Sequence, residues 1–181
     1  MKVLVVHASH FGSTRQIAER MTNVLVGHGL EVTVEAADQA GAASAFDAVV
    51  IGSAVHGGHW LKAASEFVRR ERSTLRQRPV WLFSSGPVGD LPVRSVQSDP
   101  AEIGEFRHYF TPQEHRVLAG SFDRATADFG GLGIVERTVV KRFLPEGDWR
   151  DWPAIEAWAA GIARQLTGRR ELAREPVAAA R

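Results

Sequence analysis

Short apolar runs alternate with helically spaced apolar positions along most of this chain. The runs at residues 2–7 and 47–53 are almost entirely apolar, which is typical of parallel strands buried on both faces. Between such runs, apolar residues recur at helical spacing, as in Ile17, Met21 and Leu25, and indicate amphipathic helices. This pattern predicts strands at residues 2–7, 31–36, 47–53, 80–83 and 116–122. It predicts helices before the Gly27-His28-Gly29 stop and over residues 61–76, 101–110, 135–144 and 152–166, the last capped by Asp151 with Pro153 just inside it.

Strands that alternate with helices favour an α/β fold, in which a parallel sheet is covered by helices on both faces. Five predicted strands fit a doubly wound sheet with the order 2-1-3-4-5. Because no repeat or linker divides the chain, we expect one domain at residues 1–167, with an irregular insertion at 124–150. The remaining residues, 168–181, are expected to form a tail that frays from Arg169.

Three segments rich in Gly and Ser follow predicted strands, at residues 9–14, 53–59 and 84–90. The carboxyl ends of parallel strands lie at one edge of a sheet, and doubly wound sheets bind ligands there, near the point where the strand order reverses. We therefore expect these three loops to converge on one binding site.

Composition narrows the chemistry available to that site. The 181 residues include no cysteine, which excludes disulfides, thiolate metal sites and cysteine nucleophiles, so redox chemistry would require a bound cofactor. A formal net charge of +1 gives no indication of a nucleic-acid partner. No apolar run reaches the ~20 residues of a membrane helix, and we expect a cytoplasmic protein.

The first loop has the composition of a phosphate site. Residues 9–14 read Ser-His-Phe-Gly-Ser-Thr, and hydroxyl residues with a glycine at a helix N-terminus offer N–H and O–H donors to an anion. The loop has neither Walker A nor dinucleotide-motif spacing, and an ordinary Ser/Thr helix cap is the alternative interpretation. The segment resembles the FMN-phosphate loop of flavodoxins, Ser/Thr-x-Thr-Gly-x-Thr. Ser9, Gly12 and Thr14 match that pattern and Phe11 departs from it.

This resemblance implies a flavodoxin-like fold with FMN as cofactor, and it implies that the second and third loops lie against the flavin ring. His56 and His59 are the candidates for proton transfer near that ring. They are also spaced as a metal pair, but a third ligand is lacking, so we expect no metal; a solvent-facing loop is the other alternative. The third loop lacks the Gly-x-Ser-x-Gly elbow of serine hydrolases. The predicted FMN-binding residues are Ser9, His10, Phe11, Gly12, Ser13, Thr14, Ala54, Val55, His56, Gly57, Gly58, His59, Trp60, Ser84, Ser85, Gly86, Pro87, Val88, Gly89 and Asp90.

Longer stretches point to one branch of that family. Residues 50–60 and 66–68, Val117–Gly120 and Asp151-Trp152 are similar to the bacterial flavodoxin-like protoporphyrinogen oxidases. The similarity implies an FMN-dependent oxidation of protoporphyrinogen IX in heme biosynthesis, linked to menaquinone or another quinone. An electron-transfer flavodoxin that docks with a redox partner protein, and a flavin-dependent quinone reductase, remain as alternatives.

The insertion carries the predicted helix 135–144, which is both basic and amphipathic. Its Arg137, Lys141 and Arg142 would meet the propionates of a porphyrin or the anionic inner face of the membrane, where quinones reside. A solvated helix face packed on the domain is the alternative. The sequence leaves the oligomeric state open, with a dimer as one of the states considered.

Overall fold

The structure, a computed structural model, describes residues 1–86, 99–125 and 145–174, of which residues 170–174 are described by their backbone alone. The strands in these ranges are β1 (Lys2–Ala8), β2 (Glu31–Ala36), β3 (Ala48–His56), β4 (His59–Trp60), β5 (Val80–Ser85), β6 (Glu114–Leu118), β7 (Ser121–Phe122) and β8 (Gly147–Asp148). The α-helices are α1 (Ser13–Gly27), α2 (Lys62–Leu75), α3 (Ala101–Tyr109) and α4 (Trp152–Arg174), and a short 3-10 turn covers Ala43–Ala45.

The main sheet confirms the predicted doubly wound architecture. Its strands lie in the order β2-β1-β3-β5-β6, and each neighbouring pair in this order is parallel. Strand β4 lies outside this order and pairs with the end of β3 in the antiparallel direction. The order is therefore the predicted 2-1-3-4-5 once that extra hairpin strand is left out of the numbering. The strand order reverses between β1 and β3, which places the ligand-binding edge at their carboxyl ends.

Alternating side chains of the central strands divide the core into two layers. Leu4, Val6 and Ile51 pack on one face of the sheet with α2 and α3. Val3 and Val5 pack on the other face with α1 and α4. Each layer excludes water from one face of the sheet, which makes burial of these apolar side chains the main stabilising contribution.

Two strand boundaries differ from the prediction. Residues 53–56, predicted as the start of the second loop, belong to β3, because the hairpin with β4 pairs Val55 with Trp60 and His56 with His59 and so continues the ladder. Ser84 and Ser85, predicted as the start of the third loop, are the last residues of β5.

The predicted last strand, 116–122, is wrong at both ends. Strand β6 begins at Glu114 and ends at Leu118, where its partner β5 also ends, because Leu118 is paired with Ser85. The chain then turns through Ala119-Gly120, and β7 pairs with β8 in a separate two-stranded ribbon. The strand Gly147–Asp148 within the insertion was not predicted.

The helix ends agree with the capping prediction at α4 and at the end of α1. The Asp151 carboxylate accepts a hydrogen bond from Ala154 N–H at 2.9 Å, as expected of a residue that caps the N-terminus. Helix α1 ends at Gly27, and Gly29 has a φ of 80°, as in a left-handed helix stop. Helix α4 extends to Arg174, beyond the predicted end at residue 166 and past Arg169, the predicted start of the frayed tail.

Part of the sequence interpretation lies outside the described residues. This applies to the predicted helix 135–144 with its basic residues, and to Pro87, Val88, Gly89 and Asp90 of the third loop. Within residues 1–86, 99–125 and 145–174, no helix is long and apolar enough to cross a membrane.

Candidate functional site

The loop between β1 and α1 presents two buried hydroxyl groups that have no partner. Gly12 precedes the helix with a φ of 86°, and no side chain caps the helix N-terminus, so the Ser/Thr cap considered from sequence is not formed. Ser9 Oγ and Thr14 Oγ1 are both buried without a hydrogen-bond partner among the described residues. A buried hydroxyl without a partner is costly, and Thr14 belongs to the first turn of α1, where the backbone N–H groups have no partner within the helix.

The other side chains of this loop are held by the β7–β8 ribbon. Ser13 Oγ accepts a hydrogen bond from Ser121 N–H at 2.9 Å. The Phe11 ring contacts Phe122 edge-to-face, with 5.3 Å between ring centroids. Arg150 donates to Gln16 at 2.6 Å and thereby fixes the ribbon to α1. This support could not be predicted from the sequence, because both strands of the ribbon contain only two residues and carry no periodic signal.

The second loop forms a tight hairpin whose tip lies next to the first loop. Gly57 and Gly58 have φ angles of 57° and 83°, as required by the two-residue turns that connect antiparallel strands. The His56 ring lies 5.0 Å from His10 and 5.9 Å from Phe11, measured between ring centroids. The structure thus brings His10, Phe11 and His56 together in one cluster between the first two loops.

Trp60, which sequence predicted at the flavin ring, is instead directed into the core. Its side chain is 4% exposed, and its ring lies edge-to-face with Phe106 at 5.3 Å. The indole Nε1–H donates to Ser84 Oγ at 2.8 Å. Trp60 therefore anchors the hairpin to the core, whereas His56 is the ring of the hairpin that lies beside the first loop.

Glu102 on α3 also anchors the hairpin. Its carboxylate accepts hydrogen bonds from Trp60 N–H and from His59 Nδ1, both at 2.9 Å. Partial burial disfavours the charged form, but these hydrogen bonds outweigh it and hold the pKa of Glu102 below its ordinary value. His59 is thus held by a hydrogen bond to α3, whereas His56 contacts His10 and Phe11 of the first loop.

Ser84 takes part in a chain of hydrogen bonds that links the hairpin to β6 and α3. Its Oγ lies 2.9 Å from His115 Nε2, and His115 Nδ1 lies 3.1 Å from Asp99 Oδ1. Arg107 pairs with the other carboxylate oxygen of Asp99 at 2.7 Å. With a neutral His115 that donates from Nδ1, each group in the chain from Trp60 to Asp99 donates once to the next.

This chain of hydrogen bonds has the connectivity of a Ser-His-Asp triad, but its serine is not accessible to a substrate as a nucleophile must be. Ser84 is fully buried, and its Oγ already accepts the Trp60 N–H. A substrate carbonyl would have to displace that contact to reach the hydroxyl. These hydrogen bonds therefore hold the hairpin in position, and no motif in the sequence predicted them.

The pKa of His115 gives this network a predicted pH dependence. Burial lowers the pKa of the imidazole, and the nearby Asp99 only partly offsets that effect. The unfolded chain then binds more protons than the folded one. The contribution of His115 to the free energy of unfolding is therefore fully present above the unfolded pKa of about 6.5 and is lost as pH falls below it. We expect the free energy of unfolding of His115→Gln to fall less steeply than that of the wild type between about pH 7.5 and about pH 5.

Chemical denaturation at several pH values measures this difference. His28→Gln, which removes an exposed histidine from the end of α1, is the matched control and should follow the wild-type curve. Identical pH slopes for the His115 variant and the wild type would contradict the account.

A pocket of about 650 Å³ opens beside the first loop, towards the carboxyl end of β2. Ser9, His10 and Phe11 line one wall, and residues 36–39 and 61–63 line the others. His7 also lines it; the Nδ1 atom of His7 is buried without a partner, and burial lowers the pKa of this imidazole. The first loop therefore borders open space of the size that small-molecule sites occupy.

The remaining predicted residues flank this arrangement. Ala54 and Val55 are half-buried in β3, Ser85 is buried, and Gly86 N–H donates to Leu118 O at 2.9 Å. Among the described residues, no group of three or more His, Asp or Glu side chains is arranged to hold a metal ion.

Comparison with known proteins gives matches to a family, to a curated relative and to solved structures. The family model described as a flavodoxin domain matches residues 4–143. The chain is 26% identical over 125 residues to the protoporphyrinogen IX dehydrogenase (quinone) of Escherichia coli, in an alignment that covers 67% of this chain and 69% of that protein. A flavodoxin from the Archaea has a TM-score of 0.61 at 18% identity, covering 92% of this chain and 99% of that one. Flavodoxin 1 from Bacillus cereus has a TM-score of 0.59 at 13% identity, covering 91% and 98%.

Proposed function

Because this chain belongs to the flavodoxin domain family, we propose that it binds FMN at the edge formed by residues 9–14 and the tip of the β3–β4 hairpin. The observation that carries this proposal is the pair of buried hydroxyl groups, Ser9 Oγ and Thr14 Oγ1, which have no partner among the described residues. A phosphate would accept hydrogen bonds from both hydroxyl groups and from N–H groups of the first turn of α1. The side chains present therefore fit the phosphate group of FMN.

Each part of the proposed site has a distinct task. Ser9 and Thr14 bind the phosphate, and the cluster of His10, Phe11 and His56 packs against the cofactor. The contact between Phe11 and Phe122 excludes water from one side of the loop. When bound, FMN supplies the capacity to take up and pass on electrons.

His56 is the better of the two histidines predicted for proton transfer. It lies 5.0 Å from His10, so two imidazole rings are neighbours in the cluster, and imidazole is the side chain most often used for proton transfer. His59 is instead engaged in a hydrogen bond with Glu102 of α3. His56 thus holds or moves a proton at an imidazole nitrogen, whereas His59 holds the hairpin in place.

The reaction that we assign to the site is oxidation of a porphyrinogen to the porphyrin, with a quinone as the acceptor. The six hydrogen atoms removed from each porphyrinogen reduce three quinone molecules to the quinol, two hydrogen atoms for each quinone. Support comes from the 26% identity to the E. coli protoporphyrinogen IX dehydrogenase. The basic stretch at 135–144, proposed to meet the propionates or an anionic membrane, is part of the same assignment.

An electron carrier without its own substrate is the second candidate. The observation in its favour is that solved structures similar to this chain include flavodoxins at TM-scores of 0.61 and 0.59. Such a protein would keep the FMN site and exchange electrons with a partner protein only.

Anaerobic turnover of protoporphyrinogen IX with menadione, followed by porphyrin fluorescence, tests the enzymatic assignment. The FMN-loaded protein is expected to form porphyrin faster than free FMN at the same concentration, and a Ser9→Ala/Thr14→Val variant should give only the background rate. FMN-loaded protein that gives only background would contradict the porphyrinogen assignment. Reduction by a reductase partner alone would then indicate the carrier, and direct reduction by NAD(P)H would indicate a quinone reductase.

A further inference from the structure

A second pocket lies at the opposite edge of the sheet, where β5 and β6 begin. It has a volume of about 560 Å³ and is lined by residues at the ends of α2 and α3 and by one side chain of α4. We call it the basic pocket, because Arg76, Arg78, Arg107, His108 and Arg169 line it. The six residues of β5 span about 20 Å between this edge and the FMN edge, so the basic pocket is separate from the proposed FMN site.

The positive charge of the basic pocket is concentrated and only partly neutralised. The whole chain has a formal net charge of +1, yet four arginines and no Asp or Glu are among the described residues that line this pocket. Arg107 is the one of these arginines with a carboxylate partner in the described part of the chain, Asp99 at 2.7 Å.

The other three arginines contact neutral groups at most. Arg78 donates to Phe46 O at 3.0 Å, and Arg169 donates to Gln113 Oε1 at 2.7 Å. Arg76 is exposed at the end of α2 and makes no side-chain hydrogen bond or ion pair with the described residues. Because a guanidinium group carries several donors in a fixed fork, these contacts leave donors available to a ligand.

Helix electrostatics explain only part of this arrangement. Cations are stabilised at helix C-termini, which accounts for Arg76 at the end of α2 and for Arg107 and His108 in the last turn of α3. Arg78 lies beyond α2 and Arg169 lies well inside α4, so neither position gains from a helix end. Both nevertheless line the same concavity.

We propose that the basic pocket binds a multiply charged phosphate anion, of the kind present in a di- or triphosphate or in a phosphomonoester headgroup. Guanidinium forks match phosphate oxygens in pairs, and the pocket volume lies in the range of small-molecule sites. The ligand would be held by Arg76, Arg78 and Arg169, whose charges have no carboxylate partner among the described residues. This inference does not depend on FMN binding, because it uses no residue of the FMN edge.

Titration calorimetry with inorganic tripolyphosphate at low ionic strength tests the site. In Arg76→Gln/Arg169→Gln, the dissociation constant is expected to rise by about tenfold or more, because hydrogen bonds to a charged group are lost at both positions. Arg72→Gln/Arg164→Gln removes two exposed arginines from the same two helices and does not touch the pocket. This matched control should bind tripolyphosphate like the wild type.

A second arm identifies the source of the phosphate. Sedimentation with phosphatidylcholine vesicles, with and without phosphatidic acid, is compared for the same variants. Binding to tripolyphosphate that depends on Arg76 and Arg169 indicates a free anion, whereas vesicle binding alone with the same dependence indicates a lipid headgroup. The proposal is overturned if neither probe binds or if the control variant loses as much affinity. It is also overturned if Ser9→Ala/Thr14→Val, and not the pocket variant, abolishes binding of tripolyphosphate.

Discussion

Replacing Ser9 with alanine and Thr14 with valine is expected to lower the affinity for FMN by at least about a hundredfold, since two hydrogen bonds to a charged phosphate contribute about 3 kcal/mol or more. The same variant should be as stable as the wild type without cofactor, or more stable by up to about 1 kcal/mol, because it removes buried hydroxyl groups that have no partner among the described residues. Loss of binding with unchanged or increased stability is the signature of donors reserved for a ligand. Fluorescence titration of FMN and chemical denaturation measure the two quantities.

Thr22→Val is the matched control for this experiment. Thr22 Oγ1 is also buried without a partner among the described residues, and Thr22 lies on α1, two turns beyond Thr14. Its replacement makes the same chemical change away from the loop, so FMN affinity should stay at the wild-type value. Equal affinity for FMN in the Ser9/Thr14 variant and the control would contradict the proposed binding of the phosphate by this loop.

Replacing Gly52 with alanine is expected to destabilise the protein by about 1–3 kcal/mol, the usual cost of forcing a methyl group into a filled core. Gly52 lies in β3 directly opposite Phe83 of β5, and a methyl group at this position would overlap the Phe83 ring. That ring is fully buried and packs edge-to-face on Trp158 of α4 at 6.3 Å. It therefore has little room to move, and thermal or chemical denaturation should report the loss.

Gly104→Ala is a control for which we expect the opposite change in the free energy of unfolding. Gly104 lies within α3, and a methyl group there meets no atom within 4 Å. Alanine in a helix interior is favoured over glycine by about 0.5–1 kcal/mol, so this variant should be more stable than the wild type. A Gly52→Ala variant as stable as the wild type would mean that β3 and β5 do not pack as described.

The fold could be predicted because its signals are local and repeated. The apolar runs at 2–7 and 47–53 have the composition of strands buried on two faces, and both lie in the parallel sheet. The stop at Gly27-His28-Gly29 and the cap at Asp151 depend on single residues whose conformational preferences are strong. The two-residue strands β7 and β8 offer no such signal, which is why the strand predicted at 116–122 was carried too far and the strand Gly147–Asp148 was not predicted.

The proximity of the first two loops could be predicted from the sequence, but the contacts within and below them could not. Glycine and serine at strand ends indicated the edge where His10 and His56 meet. The direction of a side chain is decided by long-range packing, however, so Trp60 could not be recognised as a core residue that donates to Ser84. The link from Ser84 to His115 joins residues 31 positions apart, and only the parallel pairing of β5 with β6 brings them together.

The comparisons with known proteins bear differently on fold and on reaction. Structural likeness at 18% identity or below establishes the arrangement of strands and helices. The porphyrinogen assignment is supported by the 26% identity to the E. coli protoporphyrinogen IX dehydrogenase and by motifs that partly overlap the FMN edge. Cofactor binding is therefore the claim on which the other functional proposals depend, apart from the basic pocket.

The visible absorption spectrum of the purified protein, recorded after incubation with FMN and desalting, tests that claim most directly. The account predicts that flavin absorption is retained with the protein and that the Ser9→Ala/Thr14→Val variant loses it on the same column. The account would be contradicted if all the flavin eluted in the small-molecule fraction while circular dichroism showed the wild-type protein to be folded.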